Sequence, residues 1–404
     1  MSDAPHAPTG DWCGADPFHA SFRDNPYPAL NALREKNPVN LTPVGTYRIS
    51  RYDDVLDVFK KASTSMTLAN GESPNFHPAD ERGSFREFML NLDGAPHLRL
   101  RKLVYQSFNN RTLRKLDEEV KIVVDEAVAS ALARGHMEIV GDLAHYLPSQ
   151  IICRIMGIPL EDRDLFTQWT AARTNAFFAR FLPDDVIQSL VDAGNSLADY
   201  FDSLVKVRRQ NLQDDLLSEL IRAEEDGDRL LDGELVIQAI GVLVAGFETT
   251  IGLIGNGLRA LLDHPEQMQL LRERPELINN CVEECLRYDT PIVFNWRVLT
   301  QPYVVGGVEL PADAVIWQML ASANRDPRRF EEPDKFQIDR QDVSHQSFGG
   351  GSHFCLGNQL AKLEARYAIG AFAQATRGVS IETGELQWSE SFFRVLGKYQ
   401  VDFR

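Results

Sequence analysis

The chain has 404 residues, 58 acidic and 42 basic, for a net charge of −16, and 44% of them are hydrophobic. That charge repels nucleic acid and anionic lipid overall, and five irregularly spaced cysteines (Cys13, Cys153, Cys281, Cys285 and Cys355) argue against a disulfide framework. The N-terminus lacks the basic, apolar and cleavage-site regions of a signal peptide, so a cytoplasmic protein is expected. Residues 1–16, rich in Pro, Gly, Asp and Ala, read as a flexible tail, and residues 17–404 as a single domain. A turn enters a helix at 25–34. Residues 44–50 have β character around a Gly45-Thr46 turn, and 52–61 return to helical spacing. Residues 69–83, broken by Gly, Pro and Asn, read as a long loop of the kind that often carries function. Helical patterns follow at 96–108, 112–134, 146–156, 161–181, 184–211, 216–225, 232–262, 266–272 and 275–288. β signals then appear at 293–299, 303–305, 308–309 and 315–320. An irregular Pro/Arg/Asp-rich stretch covers 324–347, and one more helix, 357–375, precedes a β-like C-terminus. The balance is mainly α with a smaller β portion, without the βαβ alternation of a doubly wound sheet.

Residues 235–258 contain a single charged side chain, Glu248, and are long enough to cross a bilayer. Gln238, Asn256 and five glycines interrupt them, and acidic residues precede them (Glu224, Glu225, Asp226, Asp228). The buried central helix of a soluble protein is the better reading. Within it, Ala245-Gly-Phe-Glu-Thr-Thr250 places an acid where ionisation is expensive unless solvated or paired. A threonine there can bond back to a carbonyl and bend the helix, and Gly246 makes room.

Residues 348–357, Phe-Gly-Gly-Gly-Ser-His-Phe-Cys-Leu-Gly, form a glycine-rich loop that delivers Cys355 to the start of a helix. Glycine permits positive φ and close approach of another group. Backbone N–H groups and the helix dipole at such a place lower a thiol pKa and favour an anionic metal ligand. A buried structural cysteine or a phosphate cradle are the alternatives. The cradle lacks a following P-loop Lys-Ser/Thr, and zinc needs a clustered set of ligands.

The loop resembles, at every position, the Phe-Gly-x-Gly-x-His-x-Cys-x-Gly loop of cytochromes P450. The similarity extends from residue 26 to the C-terminus. It implies the cytochrome P450 fold, with haem between a long central helix and the loop and helix of the cysteine ligand, so that 17–404 form one catalytic domain. It implies haem b with Cys355 as axial thiolate, which pushes electron density onto iron and favours O–O cleavage. Phe348 and Gly349 belong to the same loop. Glu284 and Arg287, at i and i+3, resemble the family's Glu-x-x-Arg helix, and Arg340 the third member of a buried network that pins the loop. Asn324-Arg-Asp-Pro327 resembles the approach to it. Ala245, Gly246, Glu248 and Thr249 resemble the family's oxygen pocket, Thr249 and Glu248 handling protons; the alternative is a packed core helix with one snorkelling acid. His97 and Arg101 share a helical face, and with Arg297 and His353 they resemble the partners of the haem propionates.

The implied reaction is monooxygenation: one atom of O2 enters an apolar organic substrate and the other leaves as water. Electrons are expected from a separate ferredoxin and its reductase, steered by Arg99, Lys102, Arg111, Arg114, Lys115, Lys362 and Arg366. Phe88, Met89, Phe178, Val244, Val293, Phe294 and Phe392 are candidate pocket residues, with Phe177 and Phe181 beside Phe178. No nucleic-acid or membrane partner is expected, and the protein is expected to be a monomer. A peroxide-driven peroxygenase and a non-catalytic haem sensor are the rival readings.

Overall fold

The computed structural model describes residues 10–75, 87–107, 110–175, 182–225 and 228–404. Within the span expected as one domain, the chain forms two compact units, each made of two separated segments. The first combines the described residues up to Pro74 with Glu283–Cys355, and the second combines Asn75–Val282 with Leu356–Arg404.

The first unit is built on a five-stranded sheet. In spatial order its strands are Val39–Leu41, Tyr47–Ile49, Val315–Gln318, Asn295–Leu299 and Thr64–Ser65. Tyr47–Ile49 and Val315–Gln318 pair in parallel, with Ile316 opposite Tyr47; the other pairs are antiparallel. Val315–Gln318 is central and buried, which suits its β-branched and aromatic residues. The helix Tyr52–Lys61 buries Tyr52, Val55 and Val58 along one face. Asp53 and Asp54 in its first turn and Lys60 and Lys61 in its last complement the helix dipole. These apolar side chains share a core with Ile49, Leu299, Leu310, Ile316 and Phe330. The β signal expected over 44–50 resolves into a hairpin, because Gly45, at φ 78°, turns the chain between two short strands. Residues 319–323, partly expected as strand, instead form the short helix Leu320–Ala323.

The expected flexible tail needs correction. Trp12 stacks on Trp317 with ring centroids 6.2 Å apart. Arg48 donates to the carbonyls of Ala15 (2.6 Å) and Trp12 (2.7 Å), and Ala15 is fully buried. Residues 10–16 are therefore fastened to the sheet. Residues 1–9 lie outside the described residues.

The second unit centres on the 32-residue helix Asp232–Asp263. It begins where Glu234 accepts the backbone N–H of Leu231 at 2.9 Å, closing an otherwise open first turn. Arg163–Asn175, Asp184–Gln210 and Asn358–Ala375 pack around it. This shell explains its all-round apolarity. Among the described residues it is one helix long and apolar enough to cross a membrane, and 67% of its most apolar window is buried in protein. A three-stranded antiparallel sheet, in the order Ile381–Trp388, Leu396–Phe403, His136–Glu138, completes the unit.

Candidate functional site

In the first unit, the glycine-rich loop is shaped by contacts that only glycine allows. Gly349 and Gly351 adopt φ of 67° and 66°, in the left-handed region. A Cβ at Gly350 would sit 3.0 Å from the Phe59 side chain, and one at Gly351 2.9 Å from the Phe59 carbonyl. The loop thus lies against the helix Tyr52–Lys61. The Cys355 N–H donates to the Phe348 carbonyl at 3.0 Å, closing the loop at the cysteine. Phe348 and Phe354 meet edge to face at 6.2 Å. Cys355 is half-buried and is not in a disulfide. Cys153 differs: it is fully buried, and burial pushes its thiol up to about 11. His353 lies in the turn Gly351–His353. Arg297 lies on Asn295–Leu299, buried, with its guanidinium donating to the Trp296 carbonyl at 2.6 Å.

Behind the loop, Glu284, Arg287 and Arg340 are brought together. Arg287 holds the Glu284 carboxylate through two bonds of 2.6 and 2.8 Å, and neither side chain is exposed. Arg340 Nε reaches both carboxylate oxygens at 3.2 Å, and the Gln337 N–H donates to one of them at 2.8 Å. The remaining Arg287 donors go to the carbonyls of Asn324, Pro333 and Lys335. Asn324 carries this network to the loop. Its side chain accepts the Gln346 N–H at 2.7 Å and donates to Ser347 Oγ at 2.9 Å, which in turn donates to the Leu286 carbonyl at 2.7 Å. The fork geometry of arginine and the satisfied lone pairs are what a fully buried carboxylate requires.

In the second unit, the middle of Asp232–Asp263 departs from a packed core helix. Ala245 is half-buried and Gly246 exposed, and a Cβ at Gly246 would meet nothing within 4 Å. Thr249 Oγ1 donates to the Ala245 carbonyl at 2.8 Å and Thr250 Oγ1 to that of Gly246 at 2.7 Å. Glu248 does not snorkel outward. Burial drives its pKa up, against the opposing pull of the Ser391 and Thr174 hydroxyls, and its Oε2 is enclosed with no hydrogen-bond partner. His97 is buried on the helix Gly94–Ser107, with Nδ1 2.7 Å from the Met89 carbonyl; since a carbonyl only accepts, Nδ1 carries the proton. Arg101, half-buried, lies on the same helix.

The candidate pocket residues are placed unevenly. Phe88 and Met89 are buried against the central helix. The Phe88 ring fills the notch at Gly241, where a Cβ would lie 2.1 Å from it. Met89 N–H donates to the Gln238 carbonyl oxygen at 3.0 Å, and the Gln238 amide donates to the Glu87 carbonyl at 2.9 Å. Val244 is fully buried, Phe392 half-buried, and Phe294 stacks on Trp317 at 4.6 Å beside buried Val293. Phe177, Phe178 and Phe181 lie outside the described residues, as do the side chains of Arg111, Arg114 and Lys115. The expected basic cluster loses Arg99 as a free charge: it is held by Asp228 at 2.5 Å and Glu234 at 2.6 Å. The residues not anticipated from sequence are Asn324 as a connector to the loop, and Thr174 and Ser391 beside Glu248. Serines and threonines of this kind carry no signal in sequence, because only tertiary packing brings them to the acid.

The donor set fits a haem. The first unit offers a half-buried thiol at the end of the glycine-rich loop, and in the second the apolar helix Asp232–Asp263 has open space at Gly246. The cytochrome P450 family model matches residues 19–377. The chain is 37% identical to a vitamin D(3) 25-hydroxylase of Pseudonocardia autotrophica, over 93% of each protein. It is 36% identical to the cytochrome P450 monooxygenase PikC of Streptomyces venezuelae, over 91% of this chain and 88% of that one. The crystal structure of P450BioI in complex with an acyl carrier protein bearing hexadec-9Z-enoic acid is similar at a TM-score of 0.86 and 30% identity, covering 95% of this chain and 99% of that one. With its mainly helical fold, its single-cysteine loop and these relatives, the chain belongs to the cytochrome P450 family of haem-thiolate monooxygenases.

Proposed function

We propose that this protein inserts one atom of O2 into an apolar organic substrate, by hydroxylation, epoxidation or dealkylation, with electrons from a separate ferredoxin and its reductase. The observation that carries this reading is Cys355, half-buried at the end of a loop that the Glu284–Arg287–Asn324 network holds from behind. Cys355 would supply the thiolate that ligates the haem iron, and Phe348 and Gly349 shape its loop. His97, Arg101, Arg297 and His353 would hold the haem carboxylates as charge and hydrogen-bond partners. Haem, when bound, supplies the oxygen-activation and redox chemistry.

The chain's own work at the reaction site is to admit oxygen and meter protons. Gly246, beside Ala245, leaves room along the helix. Thr249 gives its hydroxyl proton to the Ala245 carbonyl, so its lone pairs face outward to order a proton donor. Glu248, whose hold on its proton burial strengthens, is that donor's source. The apolar surroundings exclude bulk water, which keeps proton entry slow and directed. An apolar substrate agrees with the vitamin D3 of the named relative, and a cytoplasmic location with a central helix buried in protein.

The test is spectroscopic. Reduced protein with carbon monoxide is expected to show the red-shifted Soret band of thiolate ligation, and Cys355→Ser to lose it; a histidine-type spectrum in the wild type would overturn the reading. The acid–alcohol pair favours O2 over peroxide as the oxidant. Turnover with hydrogen peroxide equal to turnover with a ferredoxin system would reverse that preference.

A further inference from the structure

We infer that His345, held by Glu283, is a positioning residue for the haem ligand: its imidazole fixes the backbone that enters the Cys355 loop, and through the Phe348 carbonyl it sets how the cysteine is presented. This rests on the reading of Cys355 as the thiolate that ligates haem iron.

The His345 side chain is 5% exposed, too little for water to serve both ring nitrogens, and both have protein partners. Nδ1 lies 3.2 Å from the Ser347 backbone nitrogen, and Nε2 lies 2.9 Å from Glu283 Oε2. A backbone N–H can only donate, so Nδ1 is bare. The ring proton is then on Nε2 and goes to the carboxylate. The tautomer is set by Glu283, on the helix Ile278–Tyr288, and used at the loop entrance. Fixing a ring by a carboxylate is a device that metal sites use to tune a ligand from one remove.

The path from His345 to Cys355 is short. The imidazole packs on the Phe348 ring, with centroids 5.6 Å apart and planes inclined at 53°. Ser347, whose N–H it accepts, is peptide-bonded to Phe348, and the Phe348 carbonyl accepts the Cys355 N–H at 3.0 Å. Ser347 Oγ is engaged separately, donating to the Leu286 carbonyl and accepting from the Asn324 amide. One helix therefore grips Ser347 at two points, through Leu286 directly and through Glu283 by way of His345. The Glu284 network serves the hydroxyl end, and His345 serves the N–H end and the neighbouring ring. Turning the Phe348 peptide moves the acceptor of the Cys355 N–H. His345 thus governs the set of the cysteine backbone and, with it, the electron donation of the thiolate.

The experiment uses the haem-loaded protein. In its reduced carbon monoxide complex, isotope-labelled at the histidine nitrogens, the magnetic resonance signals of His345 are those lost in His345→Asn. They are expected to show a bare Nδ1 and a protonated Nε2. His345→Phe keeps a ring against Phe348 but neither accepts nor donates. It is expected to raise the reduction potential of the iron, because a less firmly presented thiolate donates less to ferric iron. It is also expected to lower the share of the carbon monoxide complex in the red-shifted thiolate band. His345→Asn, whose amide oxygen can stand where Nδ1 stood, is expected to return both toward the wild type. Glu283→Leu is expected to raise the potential by less than His345→Phe, and an unmoved potential there would overturn the part given to Glu283. The inference as a whole is overturned by a proton on Nδ1 in the wild type, by His345→Phe with potential and band unmoved, or by His345→Asn no nearer the wild type than His345→Phe. A wild type without the thiolate band overturns instead the reading of Cys355 beneath it.

Discussion

Glu284 has no exposed surface, and each of its oxygens is claimed by at least two donors. Glu284→Gln keeps the shape but sets an amide N–H₂ against two arginines. Removing one partner of a buried, hydrogen-bonded ion pair typically costs about 3–5 kcal/mol. Urea unfolding is expected to show a loss of that size, with faster haem release because the Asn324 link to the loop slackens; an unchanged midpoint would contradict the role given to the network. Glu364 is the opposite case. Fully buried on Asn358–Ala375, it has one oxygen without a partner, and burial raises its pKa to about 8. A carboxyl raised from its ordinary 4.5 holds its proton longer in the folded state than in the unfolded one. Its presence is therefore harmless below pH 4.5 and increasingly destabilising from there to about pH 8, by up to about 5 kcal/mol. Glu364→Gln is expected to stabilise the protein at pH 8.5 and to change little at pH 5, as read by thermal unfolding at both. The Glu284–Arg287 pair was legible in the sequence because i and i+3 share a helical face. Arg340 was reachable only through resemblance, and Asn324 not by its role, since its bonds join residues more than twenty positions apart.

The central helix shows how a secondary structure element can be legible while its surroundings are not. Its length and apolarity were plain in residues 235–258, and the observed helix runs Asp232–Asp263. What the sequence did not reveal is that Gln238 and Gly241 form a seat for residues 87–89. The contact depends on a side chain that is missing, and absent atoms leave no pattern. Gly241→Val is expected to collide with the Phe88 ring and cost about 1–3 kcal/mol by overpacking. Gly241→Val combined with Phe88→Ala is expected to recover part of the loss, measured by chemical unfolding; strict additivity of the two losses would show that the notch and the ring do not interact. Boundaries blurred where local signals competed. The helix expected over 216–225 stops at Arg222, because Glu224–Glu225 turns back to pair with Asp228–Arg229. The turn Ile139–Ala144 adopts π-helical bonding, closed by the His145 N–H to the Val140 carbonyl at 2.7 Å, and no apolar period announces that geometry.

For the molecule entire, the net charge of −16 and the ion-paired Arg99 narrow what can attract an acidic electron donor. Besides Arg99, the described cations of the expected cluster are Lys102 on Gly94–Ser107 and Lys362 and Arg366 on Asn358–Ala375, and Arg366 also donates to Asn279 at 3.1 Å. If the proposed ferredoxin docks here, Lys362→Glu is expected to lower the second-order rate of its electron transfer severalfold at low salt and to matter little at high salt, where charge is screened. Equal rates at both salt concentrations would remove this face from electron delivery. The discontinuity of both units has a consequence for how the protein is made. The Tyr52 N–H is bonded to the Asp326 carboxylate across 274 residues, and Tyr47–Ile49 completes its sheet with Val315–Gln318. At roughly 5–20 residues per second, a nascent chain waits on the order of half a minute between emergence of Tyr47–Ile49 and of Val315–Gln318. The early segment leaves the ribosome with an unpaired edge, and Cys355 emerges later still than Val315–Gln318. A holding chaperone has its longest opportunity there, and the cysteine cannot take hold of haem before that wait is over.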